Sequence, residues 1–188
     1  KALYSDVTRN TAASVTVAAV TGYRLADKQW KCGETEYTDF AALLAGETFT
    51  ESKTFELQTL LSSFDFQMTG SSFILTGKAG ISADNKVTFG QDVTFQVTPN
   101  AGYVVTNVWY SVGGGASQSL AAENGVYTIP GDKITGDVTV EVVTVQYFTV
   151  TFRAGTGSTL TGETTAYAMS GAPGLYTDTT FKTRFAVP

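Results

Sequence analysis

"VTVEVVTVQYFTVTFRA", residues 138–154, decides how the chain is read. Across its first five residues apolar and polar side chains alternate. That period of two puts Val138, Val140 and Val142 on one face of a strand and Thr139 and Glu141 on the other. The alternation resumes in "YFTVTFRA", so two strands are expected, at 138–145 and 147–154. Such strands suit an antiparallel sheet with one buried and one wet side.

Outward from there the same pattern recurs. "SVTVAAV" (14–20), "TFELQTL" (54–60), "SFDFQM" (63–68), "VTFQVTP" (93–99) and "YVVTNVWY" (103–110) read as strands. "ADNK" (83–86), "VGGGAS" (112–117), "AENG" (122–125), "IPGD" (129–132) and "GTGS" (155–158) read as the turns between strands, because Gly and Asn accept the positive φ of tight hairpins. One segment breaks the pattern. "TDFAALLAG" (38–46) offers Thr38 or Asp39 as an N-cap, Phe40, Leu43 and Leu44 at helical spacing, and Gly46 as a C-cap. It predicts a helix of about two turns, too short to stand without a sheet to pack on. The expected fold is mainly β, in small β-grasp-like or β-sandwich-like modules with this one short helix.

The chain also repeats itself. "LYSDVT" (3–8) returns as "LYTDTT" (175–180) at an offset of 172, and "GETFTESKTFEL" (46–57) returns as "GDKITGDVTVEV" (131–142) at an offset of 85, about half as far. "SVTVAAVTGY" (14–23) and "TFQVTPNAGY" (94–103) form a third pair at an offset of 80, each followed by a tryptophan, Trp30 or Trp109. Fixed-period similarity of this kind marks an array of modules, here of roughly 86 residues. The expected division is the later part of one module at 1–60, a complete module at 61–146, and the opening of a further one at 147–188. The last part is expected to pair with 1–60 within or between chains, or the modules are phased from "LYSD" and leave two nearly whole units and a stub.

Composition narrows the function. Net charge is -5 and the twelve Lys and Arg residues are scattered, so the basic patch of a nucleic-acid binder is missing. No apolar run reaches the length of a membrane-spanning helix. With no histidine, Ser–His and Cys–His nucleophile pairs and histidine metal sites are outside this chain's reach. Paired carboxylates could serve glycoside chemistry, and Glu34 and Glu36 beside Tyr37 are the nearest pair, but alternate acids after a turn suit a solvated strand edge better. The loops carry no calcium spacing and "GGGAS" lacks a phosphate loop's lysine, so no catalytic residue, cofactor or metal is expected. Lys53, Lys86 and Lys133 read as exposed, which argues against a lysine crosslink.

Gly22, Tyr23, Trp30, Tyr37, Thr54 and Phe55, set in "GY-x(6)-W-x(6)-Y" and "TFEL", together with "TPNAGY", Trp109, "YTIPG" and "GDVTVEV" in the middle module, carry a resemblance. The chain resembles the Listeria–Bacteroides repeat and the internalin B-repeat, tandem modules of surface proteins in Gram-positive bacteria. That resemblance implies a β-grasp fold and an extracellular, cell-surface setting, with neighbouring repeats as partners and a glycan or protein of host or cell wall as ligand. The function it implies is that of a stalk, spacer or adhesin segment without catalysis.

Two other readings stand beside it. Trp30, Tyr37, Trp109, Tyr110 and Tyr127 could form a carbohydrate-stacking platform, although aromatic rings in small β domains also pack cores. Alternatively "YFTVTF" and "FKTRFAVP" present Phe148, Phe152, Phe181 and Phe185 as an open front that another copy completes, giving a head-to-tail homo-oligomer. Residues 2–16 and 174–188 would then compete for one slot. The lone cysteine, Cys32, has no intrachain partner and is a candidate intermolecular thiol.

Overall fold

The computed structural model describes residues 3, 5 and 13–186. The chain is mainly β, 47% strand with one α-helix among the described residues, arranged in several open sheets. Its contacts divide it at residues 63 and 64 into two compact units.

Unit 1 holds β1 (Tyr23–Cys32), β2 (Thr35–Tyr37), the helix α1 (Phe40–Gly46) and β3 (Glu56–Leu61). The three strands form an antiparallel sheet in the order β2-β1-β3. Trp30 sits at its centre, opposite Tyr37 on one side and Leu57 on the other. α1 starts where the sequence says it should, with the Asp39 carboxylate accepting from the Ala42 amide at 2.7 Å. It ends one residue later than expected: Glu47, not Gly46, is the C-cap, donating its amide to the Leu43 carbonyl at 3.1 Å. Leu43 is fully buried, and Phe40 packs its ring against Trp30 at 6.1 Å between centroids.

Unit 2 begins with β4 (Ser63–Thr69), β5 (Phe73–Ala79), β6 (Lys86–Thr88), β7 (Val93–Pro99) and β8 (Tyr103–Val112). It continues through β9 (Gln118–Ser119), β10 (Tyr127–Ile129), β11 (Val138–Thr151), β12 (Thr165–Met169) and β13 (Leu175–Tyr176). One sheet runs β10-β7-β5 and a larger one runs β13-β12-β11-β4-β6, with β8 on the other flank of β11 and β9 beyond it. The core is the alternation read from the sequence made solid: Val138, Val140 and Val142 of β11 pack with Phe66, Val93, Phe95, Val108 and Ile129. β4 lies parallel to β11, Phe66 opposite Val138 through Thr69 opposite Glu141. Gly70 makes the exit from β4 possible, because at its φ of +115° a Cβ would strike the Val142 carbonyl oxygen.

Two readings from the sequence change. The strands expected at 138–145 and 147–154 are one strand, β11, whose continuity is kept at Gln146 by a hydrogen bond from the Ser170 amide, 2.9 Å, to its carbonyl. Residues 14–20 alternate but form no strand, and Val15 and Val20 lie exposed. Their counterpart β7 is paired on both sides, whereas among the described residues nothing pairs with 14–20, and an alternating segment without a partner ladder has its backbone groups left to water. The turn read at 122–125 is present: Asn124 and Gly125, both at positive φ, turn the chain between Glu123 and Val126.

Candidate functional site

Glu47 is the one buried charged side chain among the described residues, 8% exposed at the end of α1. A carboxylate there must be paired, and two partners meet it. The Tyr37 hydroxyl donates to one carboxylate oxygen, and the Lys53 ammonium donates to the other at 2.6 Å. The Lys53 hydrogen bond, then that of Tyr37, holds the Glu47 carboxyl below its ordinary range, while Glu47 raises Lys53. Accepting from Tyr37 also pushes that phenol up to about 12. Phe55 lies edge-on to Tyr37 and Phe49 to Phe55, closing an aromatic wall at the cluster. Lys53, read as exposed, is exposed as a residue but commits its side chain, 24% exposed, to Glu47. With every charge matched, this is a structural clasp between α1, β2 and the segment leading to β3.

The five aromatic residues considered for sugar stacking fall in different settings. Trp30 is buried against Phe40 and Tyr37 is tied to Glu47. In unit 2, Tyr110 is buried with its hydroxyl donating to the Gln118 amide oxygen at 3.1 Å, and Tyr127 stacks on Phe95 at 5.5 Å. Burial raises the Tyr127 phenol. Trp109 is half-buried and, as the neighbour of Tyr110 on β8, points to the opposite face. Cys32 is half-buried at the end of β1, opposite Thr35. Glu36 reaches Lys28 at 3.3 Å across the exposed face, and Glu34 is exposed in the turn between β1 and β2.

Of the four phenylalanines of the expected front, the fold brings two together. Phe152 and Phe185 stack at 5.4 Å, forming one wall of an open apolar groove of about 610 Å³ that Leu160, Thr164, Thr177 and Arg184 complete. Phe181 packs edge-on against Tyr176, over which the Arg184 guanidinium sits 5.7 Å from the ring centre. Phe148 stands alone, 50% exposed. Residues 147–151 are not an unpaired strand, since β12 runs antiparallel beside them.

Among the described residues β3 and the end of β11 are two of several strand segments with a flank that no other strand pairs. β3 pairs with β1 alone, and the hydrogen bond from the Ser62 amide to the Gly22 carbonyl fixes which way its backbone faces: Leu60 bonds toward β1 while Leu57, Thr59 and Leu61 face outward. In β11 the amides of Ser170 and Phe152, bonded to Gln146 and Thr164, show that even-numbered residues bond β12. Thr149 and Thr151 face the other flank, where β8 has already ended at Tyr103. Leu61, at 46% exposure, and Phe148 mark these edges with apolar side chains. The sequence held no signal for this, because edge direction depends on register.

No helix among the described residues is long and apolar enough to cross a membrane. No family model matches the chain, and neither a curated protein nor a solved structure matches it.

Proposed function

We propose that the chain is a non-catalytic run of tandem repeat modules from an exported bacterial surface protein, acting as a stalk, spacer or adhesin segment. The observation that carries this reading is a shared three-strand arrangement in which the first strand is central. Unit 1 orders its strands β2-β1-β3, and unit 2 contains β9-β8-β11 with the same antiparallel connections. Trp30 lies between Tyr37 and Leu57 in the first, and Tyr110 lies between Gln118 and Val140 in the second. Each middle strand opens with a Tyr after a positive-φ Gly, Gly22–Tyr23 and Gly102–Tyr103. Where a module is complete, its first and last strands, β4 and β11, run parallel and adjacent, an arrangement that suits the β-grasp reading.

The aromatic residues support the same conclusion. Trp30, Tyr110 and Tyr127 are spent on cores, and Tyr37 on the Glu47 clasp. The surface setting rests on the resemblance of "GY-x(6)-W" and "GDVTVEV" to repeat modules of such proteins. Antibodies raised against the purified chain test it: they are expected to label intact cells of the source organism, and external protease should remove the epitope. Labelling that needs permeabilised cells would sink the proposal.

A further inference from the structure

We infer that the outward face of β8 and β11 in unit 2 is a binding platform for a neutral, ribbon-like polysaccharide chain, with Trp109 as its stacking residue. Such a site is independent of the reading of the chain as a surface repeat and adds a ligand class to it.

Alternation along the two strands sorts their side chains. Val108 and Tyr110 of β8, with Val138, Val140 and Val142 of β11, turn into the core, so Trp109 and Glu141 turn out of it. Trp109 stands apart from the other aromatic residues considered for stacking. It is half-buried, it does not pack against the core of unit 2, and among the described residues no aromatic ring pairs with it.

Register sets what stands beside the indole. Ser119 of β9 and Glu141 of β11 are its direct neighbours across the sheet, and Thr69 of β4 lies opposite Glu141. These four form a row perpendicular to the strands, in steps of about 4.8 Å. A second row, Ser111, Thr139 and Gln67, runs beside it two residues along, about 7 Å away. The Thr69 hydroxyl is committed to the Val140 carbonyl at 3.2 Å. The Ser119 hydroxyl, the Glu141 carboxylate and the Gln67 amide bond no other group among the described residues.

That pattern selects the ligand. An indole face is apolar and electron-rich, so it takes a surface of slightly positive C–H groups, while the polar groups at its flanks take hydroxyls. A pyranose with equatorial substituents presents both, C–H on its faces and hydroxyls around its rim. Stacked on Trp109, it would hold its rim over Ser119 on one side and Glu141 on the other, and the next sugar would lie over the Ser111, Thr139 and Gln67 row. A β-linked chain of such sugars is a ribbon, which fits an open sheet face; a helical α-linked chain does not. Neither row holds a lysine or arginine, and Glu141 and the net charge of -5 repel anionic sugars, so the chain is a neutral one.

The test titrates the whole chain, by isothermal titration calorimetry, with cellopentaose and chitopentaose, both neutral ribbons, and with the α-linked maltopentaose as control. At least one ribbon is expected to bind and maltopentaose is not. In a Trp30→Phe background the emission of Trp109 should shift to the blue as sugar covers it. Trp109→Ala is expected to weaken binding about tenfold or more. Glu141→Ala should weaken it severalfold, whereas Glu141→Gln, which still bonds hydroxyls, should keep most of it. Glu141 is exposed, so its variants carry the test should Trp109→Ala fail to fold by circular dichroism. No heat and no change in Trp109 emission with either ribbon overturns the proposal. So does binding that Trp109→Ala and Glu141→Ala both leave unchanged, as binding in the groove of Phe152 and Phe185 would give, and so does tighter binding of maltopentaose. None of these outcomes affects the surface labelling of intact cells, so the two proposals fail separately.

Discussion

Tyr37, Glu47 and Lys53 tie the titration of unit 1 to its stability at both ends of the pH scale. Glu47 is depressed by its partners, so its contribution is complete above the ordinary carboxyl range and is lost as pH falls through its folded value. Tyr37 is raised, so the fold binds its proton more tightly than the unfolded chain; that contribution is complete below pH 10 and disappears between 10 and about 12. Lys53, also raised, fades in the same alkaline direction. Absorbance at 295 nm is expected to show a phenolate step near pH 12 that Tyr37→Phe abolishes; a titration unchanged in the variant would refute the clasp. A backbone position gives a second prediction. Gly70→Ala must place a Cβ against the Val142 carbonyl at positive φ, and is expected to cost about 1–3 kcal/mol in denaturant unfolding. Gly113→Ala, with the same sign of φ and open space around it, should cost about 1 kcal/mol. Equal losses at both positions would rule out the carbonyl contact as the cause.

Strands and helix respond according to what each one packs. Phe95, fully buried in β7 and stacked on Tyr127, is expected to cost about 3–5 kcal/mol when cut to alanine. Asp39→Ala should cost about 1 kcal/mol through the lost cap of α1. Differential scanning calorimetry measures both, and a larger loss at Asp39 than at Phe95 would contradict the packing described. The elements also explain which parts of the fold were legible. β7 and β8 could be read because period-two alternation and turn residues agree there, and α1 because cap and spacing agree. β1 could not, since Arg24, Asp27, Lys28 and Lys31 scatter charge over both faces and a register shift between Leu25 and Trp30 breaks the period. Residues 14–20 misled for the opposite reason: the period is present, but a strand also needs a neighbour. Nothing in the sequence marks Glu47 as buried, because its partners come from β2 and from Lys53 and only the fold assembles them.

For the molecule as a whole, the two tryptophans are reporters, Trp30 in unit 1 and Trp109 in unit 2. Phe95→Ala is expected to move the denaturant transition seen by Trp109 in a Trp30→Phe background, and to leave the one seen by Trp30 in a Trp109→Phe background in place. Transitions that shift together would show that the units unfold as one. The parallel pairing of β4 with β11 has a further, mechanical consequence. The strand that opens this module and the strand that leaves it lie side by side and point the same way. A pull on the two ends of the module drags them past one another lengthwise, so the bonds between Phe66–Thr69 and Val138–Glu141 are loaded in shear and must give way together. Bonds peeled one at a time would yield at lower force. The same ladder that completes the sheet thus serves as the module's tensile latch, and a row of such modules would resist stretching until each latch in turn let go.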